Sequence, residues 1–171
     1  MAKPPVPPTA TEEEVRVILE RYRCPVLFHE VRTRCLGNIA TPVSAASPIK
    51  MVEDLWGGKL PAFDSINAAN ELIGALVMGL WNRLTRHQDR NSPFRLMRIE
   101  TTATREGLAA LALMRVQEIE GFVHGLFGRQ GEIDLPERAH RALDDLGKMR
   151  AMSQRYKTLQ TTKPRQRPSK K

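Results

Sequence analysis

One segment of the sequence, 66–84, constrains the fold more than any other because its apolar residues recur every three or four positions. They are Ile66, Ala69, Ile73, Leu76, Val77, Leu80, Trp81 and Leu84. Residues at that spacing share one face of an α-helix, and a stripe this broad is typical of a helix buried against other elements. Asp64 or Ser65 precedes the stripe as a candidate N-cap. The pattern predicts a long helix at the centre of a helical core.

Three helices are predicted ahead of this segment. Thr11 and Glu14 have the spacing of a capping box, in which a hydroxyl and a carboxylate satisfy the first free amides of a helix. We expect that helix over about 12–23. A second helix is expected over about 26–36, where Gly37 with the following asparagine provides a stop. A short third helix follows the connector at 42–47.

This third helix and two helices after the segment 66–84 complete the predicted set of helices. Ser47 followed by Pro48 is typical of an N-cap and a first helical position, and it predicts a short helix through Trp56. Two long helices are expected from about Thr104 to Phe127 and from about Pro136. The expected inward residues are Leu108, Leu111, Ile119, Phe122, Val123 and Leu126 in the first, and Ala139, Leu143, Leu146, Met149 and Met152 in the second.

These patterns predict an all-α fold, a single-domain bundle of about six helices over 11–156. The segment 1–10 contains four prolines and predicts a disordered arm. The segment 157–171 is basic, lacks an apolar stripe and predicts a disordered tail. A chain of 171 residues is long enough to form one such core without metal or disulfide support.

The positive charge of the chain concentrates near its end. The formal net charge is +8, and the six basic residues with no acid from Lys157 onward leave only +2 for the rest. Such a tail can neutralise phosphates of a nucleic acid or the ribosome weakly and without sequence preference, or can simply aid solubility. The candidate nucleic-acid-binding residues are Lys163, Arg165, Arg167, Lys170 and Lys171.

Cysteine content and hydropathy predict a cytoplasmic protein. Only Cys24 and Cys35 are present, and the chain does not begin with a pattern typical of a signal peptide. No apolar run approaches the roughly 18–20 residues that a membrane-spanning helix needs. We therefore expect free thiols and no membrane partner.

Three stretches together resemble the YecA/YgfB-like proteins. They are MVEDLWGGKLPAFDS at 51–65, AANELI at 68–73 with LWN at 80–82, and GFVHGL at 121–126. The resemblance covers about 47–150 and implies an all-helical fold in a family that is mainly uncharacterised. Some members of that family carry a C-terminal Cys/His zinc module. This chain has no cysteine after Cys35, so a zinc role is not implied for it.

Motifs that carry chemistry are sparse. Cys24, His29 and Cys35 supply three potential metal ligands at a spacing that matches no standard zinc site, so no metal or cofactor is predicted. A phosphate-binding loop and a nucleophile elbow are both absent from the sequence. His124 and the pairs of neighbouring acidic residues are interpreted as structural residues of helices rather than as catalytic residues. An enzyme with an unrecognised site stays possible, but the sequence favours a non-enzymatic protein.

The function that these observations favour is a helical protein-interaction module, regulatory or adaptor in role, with another protein as its partner. The alternative is the weak nucleic-acid or ribosome association through the tail. Two places are candidate partner-binding surfaces: the turn with Trp56, Gly57, Gly58 and Phe63, and the helix face with Gly121, Phe122 and Gly125. Core packing of the aromatic residues and close helix packing at the glycine pair are the simpler interpretations.

Overall fold

The computed structural model describes residues 10–42, 47–91, 93–128 and 133–158, and within these ranges the chain forms six helices and no strand. The all-α fold predicted from the sequence is confirmed. The helices are α1 (Glu12–Arg21), α2 (Phe28–Ala40), α3 (Pro48–Leu55), α4 (66–84), α5 (Arg105–Phe127) and α6 (Glu137–Thr158). Helix α4 has three parts, with α-helical geometry over Ile66–Ile73, π-helical geometry over Gly74–Trp81 and α-helical geometry over Asn82–Leu84.

The predicted arm and tail lie almost entirely outside the described residues. Of the arm, only Ala10 is described; it lies against Gly79, and its carbonyl oxygen accepts a hydrogen bond from Arg83 at 3.2 Å. Helix α6 continues to Thr158, two residues beyond the boundary expected from the sequence. The last carbonyl groups of a helix have no intrahelical hydrogen-bond partner, so sequence patterns define helix ends less sharply than helix interiors.

The predicted N-terminal caps of α1, α3 and α4 are present in the structure. The Thr11 amide donates to Glu14 Oε2 at 2.6 Å, and the Glu14 amide donates to Thr11 Oγ1 at 3.2 Å, which completes the capping box of α1. The Ser65 hydroxyl accepts from the Ala68 amide at 3.1 Å, so Ser65 rather than Asp64 caps α4. Local sequence therefore fixes where these helices begin.

Helices α1 to α4 enclose the main hydrophobic core. Helix α4 contributes Leu72, Leu76 and Leu80, which are fully buried; Leu76 and Leu80 belong to the predicted stripe, whereas Leu72 does not. The exception is Ile66 at the start of the stripe, whose side chain is exposed because it lies in the first turn, at the edge of the bundle. The other buried members of the core are Val15, Ile18, Leu19, Val31, Cys35, Met51, Val52, Leu55, Ala75 and Leu84.

The expected stop of α2 at Gly37 is wrong. The helix passes through this glycine and ends at Ala40. Gly37 is buried, and a Cβ atom there would overlap the carbonyl oxygen of Phe122 on α5. The glycine therefore serves helix–helix contact rather than helix termination. This difference depends on a neighbour far away in the chain, which local sequence patterns do not reveal.

An irregular segment, 93–104, precedes α5, and buried polar groups hold it. Glu118 of α5 is only 2% exposed, and its Oε1 accepts from the Met97 amide at 3.0 Å. Arg115, which also forms an ion pair with Glu118, donates to the Met97 carbonyl oxygen at 2.7 Å. Arg32 of α2 donates to the carbonyl oxygen of Arg95 at 3.1 Å. The segment is thus fixed mainly through its backbone.

Candidate functional site

The turn at 56–63, the first candidate surface, packs toward α1. The Trp56 indole N–H donates to the carbonyl oxygen of Tyr22 at 3.0 Å, and the Phe63 ring lies edge-on to the Tyr22 ring with centroids 5.3 Å apart. Gly57 and Gly58 have φ angles of 77° and 99°, which favour glycine and let the chain reverse direction. Core packing accounts for these contacts, and both aromatic side chains are half-buried.

The second candidate surface, the glycine face of α5, is covered by α2. Gly121 and Gly125 are buried, and a Cβ atom would overlap Thr33 Oγ1 at the first and the Arg34 carbonyl oxygen at the second. Phe122 beside them is half-buried. This is the close helix approach that a glycine pair four residues apart allows. A role for these residues in binding a partner stays a prediction, and the face already has an occupant within the chain.

The three potential metal ligands of the N-terminal half are in different environments. Cys35 is fully buried with its Sγ 3.7 Å from Met51 Sδ, and burial raises the pKa of its thiol to about 12. Cys24 is half-buried, and burial raises the pKa of its thiol as well. His29 Nε2 lies 2.9 Å from Gln117 Oε1. Among the described residues, no three His, Cys, Asp or Glu side chains are grouped to hold a metal ion.

Helices α5 and α6 form a hairpin that presents an apolar surface, which we call the hairpin face. Its four side chains are each about half exposed: Leu108 at 53%, Met149 at 53%, Met152 at 57% and Tyr156 at 51%. The expectation that Leu108, Met149 and Met152 point inward is wrong. Helix α6 packs mainly against α5, so only one side of it is covered within the described chain.

A cleft opens at one end of the hairpin face, between the start of α5 and the end of α6. Its volume is about 320 Å³. The lining residues are Ala103, Thr104, Arg105, Leu108, Ala109 and Tyr156. The antiparallel course of the hairpin brings these distant residues together, so Tyr156 and Leu108 form the apolar walls of one depression.

The sequence becomes basic toward the end of α6. Asp145 is the last acidic residue of the sequence, and the following 26 residues contain nine basic ones. In the described part, Lys148 pairs with Asp145 at 2.8 Å, Arg150 pairs with Glu120 at 2.6 Å, and Arg155 is exposed. Residues 1–136 contain equal numbers of acidic and basic residues, so the whole net charge belongs to α6 and the tail. The five candidate nucleic-acid-binding residues lie outside the described residues.

Sequence reasoning missed the hairpin face although a signal was present. In α6, positions 149, 152 and 156 share one helix side, rotated by roughly a third of a turn from Leu143 and Leu146, which are half-buried. Apolar residues spread over two sides of a helix need two neighbours to be buried. Helix α6 has mainly one, α5, among the described elements.

No family model, no curated protein and no solved structure matches the chain. The resemblance to the YecA/YgfB-like proteins therefore stays a prediction. Among the described helices, none combines the length and the apolar composition that a membrane-spanning helix requires.

Proposed function

We propose that the protein is a non-enzymatic interaction module that binds another protein through the hairpin face. The observation that carries this proposal is the exposure of four large apolar side chains, Leu108, Met149, Met152 and Tyr156, on one helical hairpin. Clustered apolar side chains left in water are typical of interaction surfaces. Methionine suits such a surface because its flexible side chain adapts to the shape of a partner.

The energy available from this face is moderate. Full burial of a large apolar side chain contributes roughly 1.5–3 kcal/mol, so covering the exposed half of each side chain contributes about 1 kcal/mol. Association also costs translational and rotational freedom. We therefore expect a reversible complex in which the hairpin face supplies the contact and neighbouring groups supply additional affinity.

The experiment is affinity capture from an extract of the source organism with three forms of the full chain. The forms are the wild type, a Met152→Ser/Tyr156→Ser double variant of the hairpin face, and a Met78→Ser control. Met78 lies on α4 and is 57% exposed, the same fraction as Met152. We expect a specific protein that both the wild type and the control retain and that the double variant loses. Recovery of the same proteins by all three forms would contradict the proposal.

A second candidate function, sequence-independent binding of nucleic acid, is favoured by one observation. The 26 residues after Asp145 carry nine basic side chains and no acidic one. Phosphate neutralisation by such a run gives binding that weakens steeply with salt. The hairpin face would have no part in it, because methionine and leucine side chains offer nothing to a phosphate group.

A further inference from the structure

We infer that the partner segment on the hairpin face is an acidic amphipathic helix of another protein. This inference rests on the proposed function and specifies the chemistry of the partner. Two observations support it: the exposed apolar side chains of the hairpin face and the positive sign of the charge near them.

The charge around the hairpin face selects an acidic partner. Arg155, whose side chain is exposed, precedes Tyr156 of the hairpin face directly. The chain then continues into its basic end without a further acid. A partner with carboxylates flanking its apolar residues would meet opposite charge on approach, which speeds association and fixes orientation. Any partner with a basic rim would be repelled.

The same charge disfavours a second copy of this chain. A two-fold dimer through the hairpin face would bring the exposed Arg155 of both copies to the same interface. Like charges brought to one interface oppose association. The hairpin face therefore suits a different protein better than a copy of itself.

The arrangement of the apolar residues favours a helix over a nucleic acid. Met149, Met152 and Tyr156 follow one another at helical spacing and form a ridge, beside which a partner helix can lay apolar residues recurring every three or four positions. The cleft of about 320 Å³ has room for a large anchor side chain such as leucine or phenylalanine. Of the four hairpin-face side chains, Tyr156 alone is aromatic, so base stacking has a single platform.

The test uses a fluorescent synthetic peptide of about 20 residues, long enough to form a helix on binding, with leucine on one helical side and glutamate elsewhere. Two control peptides replace glutamate by lysine or scramble the order of the residues. A single-stranded oligo-uridylate is the nucleic-acid probe. Binding of each probe to the full chain is measured by fluorescence anisotropy at low and moderate salt.

We expect the acidic helical peptide alone to bind. Its affinity should fall about tenfold or more with Met152→Ser/Tyr156→Ser, and similarly with Arg155→Glu, since each tenfold corresponds to about 1.4 kcal/mol of lost contact or charge attraction. Met78→Ser and Arg86→Glu, exposed residues outside the hairpin, should leave the affinity unchanged. The substituted side chains are exposed, so circular dichroism should show that all variants keep their helix content.

Three results would overturn the inference. Equal binding of the lysine or scrambled peptide would remove the charge or the helical pattern as the determinant. Tight binding of oligo-uridylate that requires Arg155 but not Met152 would show that the basic end acts on nucleic acid. Failure of the acidic peptide, while capture from the extract still depends on Met152 and Tyr156, would leave the proposed function standing and disprove only the partner chemistry.

Discussion

Glycines show how one residue type has opposite consequences within this fold. Gly37, Gly121 and Gly125 lie where α2 crosses α5, and each occupies a place in which a methyl group would overlap the facing helix. Gly147 of α6 is exposed, and a methyl group added there would have no neighbour within 4 Å. The first three allow two backbones to approach closely. Gly147 only lowers the helix propensity of α6.

This contrast yields a stability prediction with a matched control. Gly125→Ala should destabilise the protein by about 1–3 kcal/mol, because the added methyl meets the rigid carbonyl of Arg34 rather than a movable side chain. Gly147→Ala should stabilise it by about 0.5–1 kcal/mol. Urea unfolding followed by circular dichroism measures both. Equal effects of the two substitutions would mean that the α2–α5 crossing is looser than described.

At the scale of elements, α5 organises its surroundings through two different sides. One side packs on α2 through the glycine pair, and Glu118 with Arg115 fixes the irregular segment before the helix. The other side carries Glu120, which pairs with Arg150 of α6 at 2.6 Å in an exposed setting. We therefore expect Glu118 and Glu120, only two positions apart, to contribute very differently to the free energy of unfolding.

We predict that Glu118→Ala destabilises the protein by about 2–4 kcal/mol, because it leaves the Met97 amide without its acceptor and Arg115 without its counter-ion. Glu120→Ala should cost about 0–1 kcal/mol, as is usual for an exposed ion pair. Chemical denaturation compares the two variants. Hydrogen exchange at 94–99 should also accelerate in the first variant alone; unchanged exchange there would show that Glu118 does not hold the segment.

Helix α4 illustrates what periodicity leaves undetermined within an element. Its apolar stripe predicts a helix, and the stripe residues Leu76 and Leu80 are fully buried as expected, together with Leu72 from outside the stripe. The eight residues Gly74–Trp81 nevertheless adopt π-helical geometry, with wider turns than an α-helix. Leucines spaced by four stay on one side in either geometry, so the sequence pattern does not distinguish them.

At the scale of the whole molecule, burial is uneven. Helices α1 to α4 share one core, α5 packs against α2, and α6 packs mainly on α5. Most α6 side chains with described burial are exposed. Such peripheral elements tend to open with a lower free energy than the core, which suits a helix whose uncovered side binds a partner.

Hydrogen exchange under native conditions should resolve this gradient. We expect amides in the middle of α6 to exchange at least about tenfold faster than those of Leu72 to Leu80, because local opening of α6 exposes far less apolar surface than global unfolding. A partner bound to the hairpin face should slow exchange in α6 and leave α4 unchanged. Equal protection of α4 and α6 in the free protein would contradict this description.

The sequence by itself determined the helices, since spacing of apolar residues and capping side chains such as Thr11, Glu14 and Ser65 act within a few positions of the chain. It also determined the central place of α4, because so broad an apolar stripe has to be buried. Only the tertiary structure decided which neighbours each helix side contacts. Gly37 lies against α5, and Glu118 accepts a hydrogen bond from the Met97 amide. Met152 and Tyr156 are exposed to solvent. The physical reason is that a helix side buried in the core and a helix side that binds a partner carry the same apolar pattern. The number of neighbouring helices that cover the side decides which of the two it becomes.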